Sequence, residues 1–484
     1  MVNPGATDSI RIGLVGLYFP NFAALQYDVF AQSVEEMETL AADWNFELVC
    51  ANKVIMDAEE AERIRCQFEQ AEVDFVLVQS SSFSMGDVYL PLGQMDVPLG
   101  LWALREPSFE GPNPLNSFTG FNMLSSITRL ILHDRGYPFK WFYGDAEEEQ
   151  FQHRLQLTIR ALQTLKSIRG ARLALVGDIA PTFYHLTHNA DAIVDRLGIH
   201  VDQIPLREVF RRANGIDKSQ LSDTVLEMGQ QAREVSVEEP WMHRTAQVGL
   251  ALRDISTDGG YSALALRCFP EFQTEMDGLG PCAAVSWLNE VGYPTACEGD
   301  VMSAISMLIL QLFSKQPTTV LDLAAVHDRE GLVHMWHCGP SPASFADDNG
   351  MRITHHPTLN RADPPNGPSS GVAVDLQIAP GPVTLFQILP DVHSAFLATA
   401  EIVQGPTEGF HGSRGWLDHV CIDAAPMSVF DLIETVSYHG LTQHYPIAQG
   451  NFDDVLREML AWIGIKILEP ISYRPYLVVP EHSS

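Results

Sequence analysis

Short runs of almost unbroken apolar residues, each followed by a stretch of helical period, fill the first two thirds of this chain and leave few architectures open to it. Ile10–Leu17 (IRIGLVGL) has no polar face, as expected of a strand in a parallel sheet covered by helices on both sides. A long amphipathic stretch from about Phe22 to Trp44 follows. Phe46–Ala51 then reads as a strand, Ala58–Ala71 as a helix, and Asp74–Gln79 (DFVLVQ) and Leu99–Leu104 as further strands. Strands alternating with helices in this way predict a doubly wound α/β layer.

The pattern then repeats. A helix over His153–Ile168 leads into the strand Ala171–Gly177 (ARLALVG) and a helix over His188–Leu197. Val201–Pro205 and Tyr261–Cys268 supply strands with a helix over Ala246–Ile255 between them, and Tyr293–Cys297 reads as another. The unit ends near the strand Gly331–Trp336. From Cys338 the character changes: residues 339–370 are rich in Pro, Gly, Ser and Asn, which marks a linker or loop. Alternating runs at Val372–Ile378 and Val383–Ile388 then predict antiparallel strands, with two helices near Val429–His439 and Asp453–Ile463. The division expected is an N-terminal α/β domain (1–165), a central α/β domain (166–338) and a β-rich C-terminal domain (339–484). Both α/β domains are of the doubly wound, Rossmann-like kind.

Composition narrows the partners. With 46% hydrophobic and 19% charged residues, the 484-residue chain can bury a large core. Its formal net charge of −31 excludes nucleic acid and anionic membrane surfaces, since no basic stripe offsets it. Seven cysteines, an odd number with no CxxC pair, read as reduced thiols in an intracellular protein. The start of the chain lacks a basic region before its apolar run, and the apolar helix candidate Ala304–Phe313 is too short to span a bilayer. A soluble, cytoplasmic protein is expected. There is no Walker P-loop, no GxGxxG after a strand, no HExxH and no GxSxG, so the signatures of nucleotide-driven, dinucleotide and zinc-peptidase chemistry are missing.

Candidate chemistry concentrates between Tyr261 and Val301. In RCFPEF, Pro270 forces the backbone out of a strand and places Glu271 just beyond it. In ACEGDV, Glu298 stands at a strand end and Asp300 at the start of the next helix, where its carboxylate caps first-turn amides. Capping does not explain Glu298. Among 17 histidines, His334 and His337 flank Trp336 in VHMWHCGP, and His439 and His444 lie in YHGLTQHYPIAQGN. Any single one is more often a packing residue than a ligand. Arg267 is placed to hold an anionic substituent such as a carboxylate or sulfonate, although an arginine at a strand end as often pairs with a structural acid. Two carboxylates and one imidazole, if they converge, favour a hard or borderline ion such as Mn2+ or Mg2+ over structural zinc. Such an ion polarises a carbonyl while a carboxylate moves a proton between adjacent carbons.

The segment RCFPEF…GPCAAVSWLNEVGYPTACEGDVMSAISMLIL, with HCGPSPAS and QHYPIAQGNF after it, resembles the L-fucose isomerase and L-arabinose isomerase superfamily, most closely its divergent fucose-isomerase-like branch. Weaker similarity in NSFTGFNMLSSITRLI, WFYGD and LKSIRGARLALVG extends the resemblance over roughly residues 10 to 470. It implies two α/β domains followed by a domain with an antiparallel β-barrel. It also implies an aldose–ketose isomerase working through an enediol, with Mn2+ as cofactor (Mg2+ or Co2+ as substitutes), and a homo-oligomer such as a trimer or hexamer. The substrate would be a monosaccharide or modified sugar. By motif, Glu271 and Glu298 are the catalytic acids and, with His444, the metal ligands, while Arg267, Trp336 and His337 would contact substrate. Asp300, His334 and His439 stay as alternatives within the same motifs. Two other functions remain open on the same scaffold: a non-catalytic sugar-binding or sensor protein, and a metal-dependent sugar epimerase or lyase.

Overall fold

The computed structural model describes residues 9–276, 278–358 and 371–479. Its contacts divide the chain into two compact units. Among the described residues, one comprises those up to Ser167 with Asp454–Gly464, and the other those of Ile168–Asp453 with those from Ile465 to 479.

The first unit is a five-stranded parallel sheet of β1 (Arg11–Leu17), β2 (Glu47–Cys50), β3 (Phe75–Ser80), β4 (Leu99–Ala103) and β5 (Phe139–Tyr143), in the order β2-β1-β3-β4-β5. All six residues of β3 and all five of β4 are buried, as central strands covered on both faces require. The helix Asp453–Trp462 belongs to this unit: Lys140 of β5 donates to Glu458 at 2.9 Å, and Trp462 meets Phe75 edge to face.

The second unit contains two sheets. The smaller is parallel, built from β6 (Arg172–Val176), β7 (His200–Ile204), β9 (Tyr261–Leu266) and β10 (Thr295–Ala296), in the order β10-β9-β6-β7. The larger is mixed and has eleven strands: β8 (Ala232–Val235), β11 (Thr319–His327), β12 (Leu332–His337), β13 (Met351–His355), β14 (Val372–Gln377), β15 (Gly381–Ile388), β16 (Ser394–Val403), β17 (Ser413–Ile422), β18 (Ala425–Pro426), β19 (His444–Gln449) and β20 (Lys466–Ile467). Its path runs β20-β16-β15-β19-β11-β12-β17-β14-β13-β8, and β16 pairs with β17 as well. The pairings therefore return on themselves through six strands. Strand β11 is flanked on both edges, and its register sets Asp322 opposite His444 of β19 on one side and opposite Trp336 of β12 on the other.

The helix Val301–Ser314 is buried on nearly all sides and packs against strands of both sheets. Asp300 caps it, accepting the Ser303 amide at 3.0 Å and the Ser303 hydroxyl at 2.6 Å.

The α/β class is as the apolar runs predict, with differences in detail. The strand expected over Tyr293–Cys297 shrinks to Thr295–Ala296, and the helix expected over Ala246–Ile255 extends to Glu239–Gly259. The stretch 339–370 is not loop throughout, because it contains β13; its residues 359–370 lie outside those described. The later strands are not purely antiparallel: β13 runs parallel to β8, and β14 parallel to β17. Among the described residues no helix is long and apolar enough to cross a membrane.

Candidate functional site

The site begins at the turn between β10 and the helix Val301–Ser314. Glu298 has φ +63° and Gly299 φ +77°, so two successive residues are left-handed. The turn is held in place because Gly299 donates to the Leu266 carbonyl at 3.0 Å and Ala180 donates to the Glu298 carbonyl at 2.8 Å. A Cβ at position 299 would lie 2.3 Å from the Asp178 carbonyl oxygen, so only glycine fits there. A non-glycine residue at positive φ costs free energy and is a pointer to function. Here it aims the Glu298 carboxylate at His444.

His444 is fully buried between carboxylates. Its Nδ1 is 2.9 Å from Asp300 Oδ2, its Nε2 is 3.2 Å from Glu298 Oε2, and Asp322 Oδ1 lies 3.9 Å from the same Nε2. Gln443 donates to Glu298 Oε2 at 2.9 Å and is itself bonded to His185. His337 completes the cluster, its ring centroid 5.5 Å from that of His444. Glu298, His337 and His444 each offer one ligand atom, and these atoms lie within 4.8 Å of one another.

The electrostatics follow from this crowding. Burial opposes a charge on His444, but the hydrogen bond to Asp300 and the charge of the facing Glu298 carboxylate outweigh it and hold the imidazolium well above the usual histidine range. Burial likewise raises Glu298 and Asp300, yet their contacts with His444 leave both below the usual carboxylate range. Asp322 has no such hydrogen bond, and burial pushes it up. His444 Nε2, His337 Nε2 and Asp322 Oδ1 are all buried without a hydrogen-bond partner. Buried polar atoms left unpaired are costly, so three of them converging in one cluster fit a bound cation or polar ligand. The Asp300 carboxylate behind Nδ1 matches the outer partner that a metal-bound histidine commonly has.

The other residues singled out by sequence fall partly inside this cluster and partly beyond it. Asp300 is taken up by its cap and by His444 Nδ1. Glu271 starts the short helix Glu271–Glu275 and lies outside the three-residue group; both its oxygens are held by Arg267, through Nε at 2.9 Å and through Nη2. Trp336 donates to the His411 carbonyl at 2.6 Å and stacks beside His337. His439 ends the helix Val429–His439, with Nε2 2.9 Å from the Glu469 carbonyl oxygen. Sequence reasoning passed over Asp322, Gln443 and His185. The first was hidden in β11, whose Leu- and Ala-rich run TVLDLAAVH lacks a clear strand signal.

His334 lies apart, buried against Trp416 and Phe410 with ring centroids at 4.6 and 4.9 Å. Neither of its ring nitrogens has a hydrogen-bond partner, and burial, aided by Arg414, pushes its pKa from 6.5 down to about 4. Between these values the unfolded chain takes up a proton that the folded one refuses, so stability falls as pH drops through this window. The shift corresponds to at most about 3 kcal/mol. His334→Phe should remove that part of the acid sensitivity, which urea melts at pH 7.5 and pH 4.5 would reveal; equal losses in both proteins would show that His334 does not contribute.

No protein-family profile matches the chain. Curated relatives do. A sulfoquinovose isomerase of Alkalicoccus urumqiensis is 26% identical over 401 residues, which cover 82% of this chain and 86% of the relative. One from Priestia aryabhattai is 28% identical over 344 residues (70% and 74%), and one from Clostridium sp. (strain MSTE9) 27% identical over 333 residues (68% and 72%). The chain is thus homologous to sulfoquinovose isomerases over most of its length, which is consistent with the resemblance to the fucose- and arabinose-isomerase-like superfamily. A solute-binding protein from Agrobacterium vitis aligns at 13% identity with a TM-score of 0.17, covering 64% of this chain and 90% of that one, which supports no inference.

Proposed function

We propose that the chain is a metal-dependent aldose–ketose isomerase acting on a sulfonated aldose. Its homology to sulfoquinovose isomerases supports the reaction class. The observation that carries metal dependence is the set of buried, unpaired polar atoms around His444. Glu298 and His444 would hold the cation, with Asp322 as a further oxygen ligand; the oxygen-rich donor set suits Mn2+, with Mg2+ or Co2+ as substitutes. When bound, the ion supplies Lewis-acid polarisation of the sugar carbonyl.

The protein's own groups do the rest. Asp300 fixes the His444 ring by accepting from Nδ1. His337 accepts the Cys338 amide N–H at Nδ1, 2.8 Å away, so the proton of the neutral ring is on Nε2. Nε2 of His337 therefore acts as a hydrogen-bond donor toward a substrate oxygen, whereas His444 offers a lone pair once its Nε2 proton has left. Glu271 is the remaining carboxylate proposed for proton transfer between C2 and C1. Its release from Arg267 would come when the anionic substituent of the substrate takes the guanidinium. The six-strand closure of the mixed sheet would form the small barrel expected of the superfamily.

The test is incubation of the protein and Mn2+ with sulfoquinovose in D2O, followed by NMR. A ketose product carrying deuterium at C1 is expected. Unchanged substrate across neutral and sulfonated aldoses would overturn the isomerase reading, and full activity after thorough chelation would overturn metal dependence.

A further inference from the structure

Four of the seven cysteines, far apart in sequence and lacking any CxxC spacing, meet in one region of the second unit. Cys282 is the first residue of the helix Cys282–Glu290, and Cys338 directly follows β12. Their sulfurs are 3.4 Å apart. His356, directly after β13, brings its Nε2 to 3.3 Å from the Cys282 sulfur. The three ligand atoms lie within 4.8 Å of one another, and Cys282 and His356 are buried. Cys297, also buried, is in contact with Cys268 and interacts with both Cys282 and Cys338. None of these thiols has a part in the proposed reaction.

We propose that Cys282, Cys338 and His356 form a second cation site, soft in character, that takes Zn2+ as a structural strut. The distances favour a metal over a disulfide. A disulfide needs sulfurs about 2.05 Å apart. Tetrahedral zinc with ordinary bond lengths sets sulfur–sulfur and sulfur–nitrogen separations of roughly 3.8 and 3.5 Å. The observed 3.4 and 3.3 Å are within a few tenths of the second arrangement and far from the first. The donor set also separates the two sites chemically: thiolates select zinc, while the carboxylates around His444 select harder ions. His356 Nδ1 accepts the Thr358 amide at 3.2 Å, so zinc at Nε2 would require the ring proton to move to Nδ1, where the Thr358 hydroxyl oxygen, also 3.2 Å away, would accept it. Each ligating thiol gives up its proton to solvent, so binding releases up to two protons per chain. The strut would tie the helix Cys282–Glu290 to the ends of β12 and β13. It would also anchor the residue next to His337.

Cobalt substitution of the full-length protein tests this. After chelation and reloading with Co2+, a thiolate-to-cobalt charge-transfer band in the near ultraviolet is expected, and Glu298→Gln should retain it because carboxylate and imidazole ligands give none. Cys282→Ser and Cys338→Ser should lose the band and the zinc that copurifies with the protein. If either serine variant fails to fold, His356→Gln, which keeps both sulfurs, should still shift the band and lower the melting temperature of the zinc-loaded protein. The proposal is overturned by absence of the band in the unmodified sequence, by its survival in both serine variants, by a His356→Gln protein identical to wild type, or by an intact mass showing Cys282 and Cys338 already joined as a disulfide.

Discussion

Glu298→Gln is expected to fold with an unchanged circular dichroism spectrum and to lose at least about 1,000-fold in kcat, equivalent to about 4 kcal/mol of transition-state stabilisation. The substitution keeps size and shape but removes the charge that faces His444 Nε2 at 3.2 Å. It should also weaken Mn2+ binding by isothermal titration calorimetry, a readout independent of turnover. Asp300 cannot take its place, because it is occupied by the Ser303 amide and hydroxyl and by His444 Nδ1. A variant that retains a tenth of wild-type activity, or full Mn2+ affinity, would remove Glu298 from the site.

The second large effect concerns stability. Asp375 of β14 and Arg414 of β17 have side chains only 3% and 5% exposed and form an ion pair. Asp375 also accepts the Gly412 amide at 2.9 Å and binds Arg352, while Arg414 donates to the Glu408 carbonyl at 2.7 Å. Asp375→Ala would leave a buried guanidinium with only the exposed Glu408 carboxylate, 3.8 Å away, as counter-charge. A loss of about 3–5 kcal/mol is expected, read as a lower urea midpoint. Truncating Glu62, an exposed partner of Arg65, should leave the midpoint nearly where it was, because water screens that pair. Burial raises the Asp375 pKa, but the Gly412 amide and the two arginines outweigh it and leave it lowered. Its contribution is therefore present above the usual carboxylate range and is lost as pH falls through the depressed value. Equal midpoints for the Asp375 and Glu62 variants would refute the network's role.

Much of the fold was visible in the sequence where local pattern and tertiary placement agree. β1, β3 and β4 are buried on both faces, so their apolar runs identify them directly. Glu298 stood out because capping explains Asp300 and leaves its neighbour unexplained. Other features depend on long-range pairing. β11 reads poorly because its alternation is broken by a bulge between Leu323 and Ala325. With β11 went Asp322, whose relation to His444 exists only through a register linking strands more than a hundred residues apart. The Arg267–Glu271 pair at i,i+4 is a local contact, yet nothing in RCFPEF says that both carboxylate oxygens are taken up. The thiol cluster is the extreme case, assembled from segments whose spacing matches no metal-binding motif.

The pairing of β11 with β19 also determines where the gene can change length. A residue inserted between Thr319 and Asp322 would turn Asp322 to the opposite side of its strand or unpair it from His444, whereas the turn at Asp328–Gly331 could absorb the same insertion. Alignments of diverging copies should therefore tolerate gaps in that turn and not between Thr319 and Asp322. A copy with a gap in the strand would be one in which this chemistry has been abandoned, whatever its overall identity.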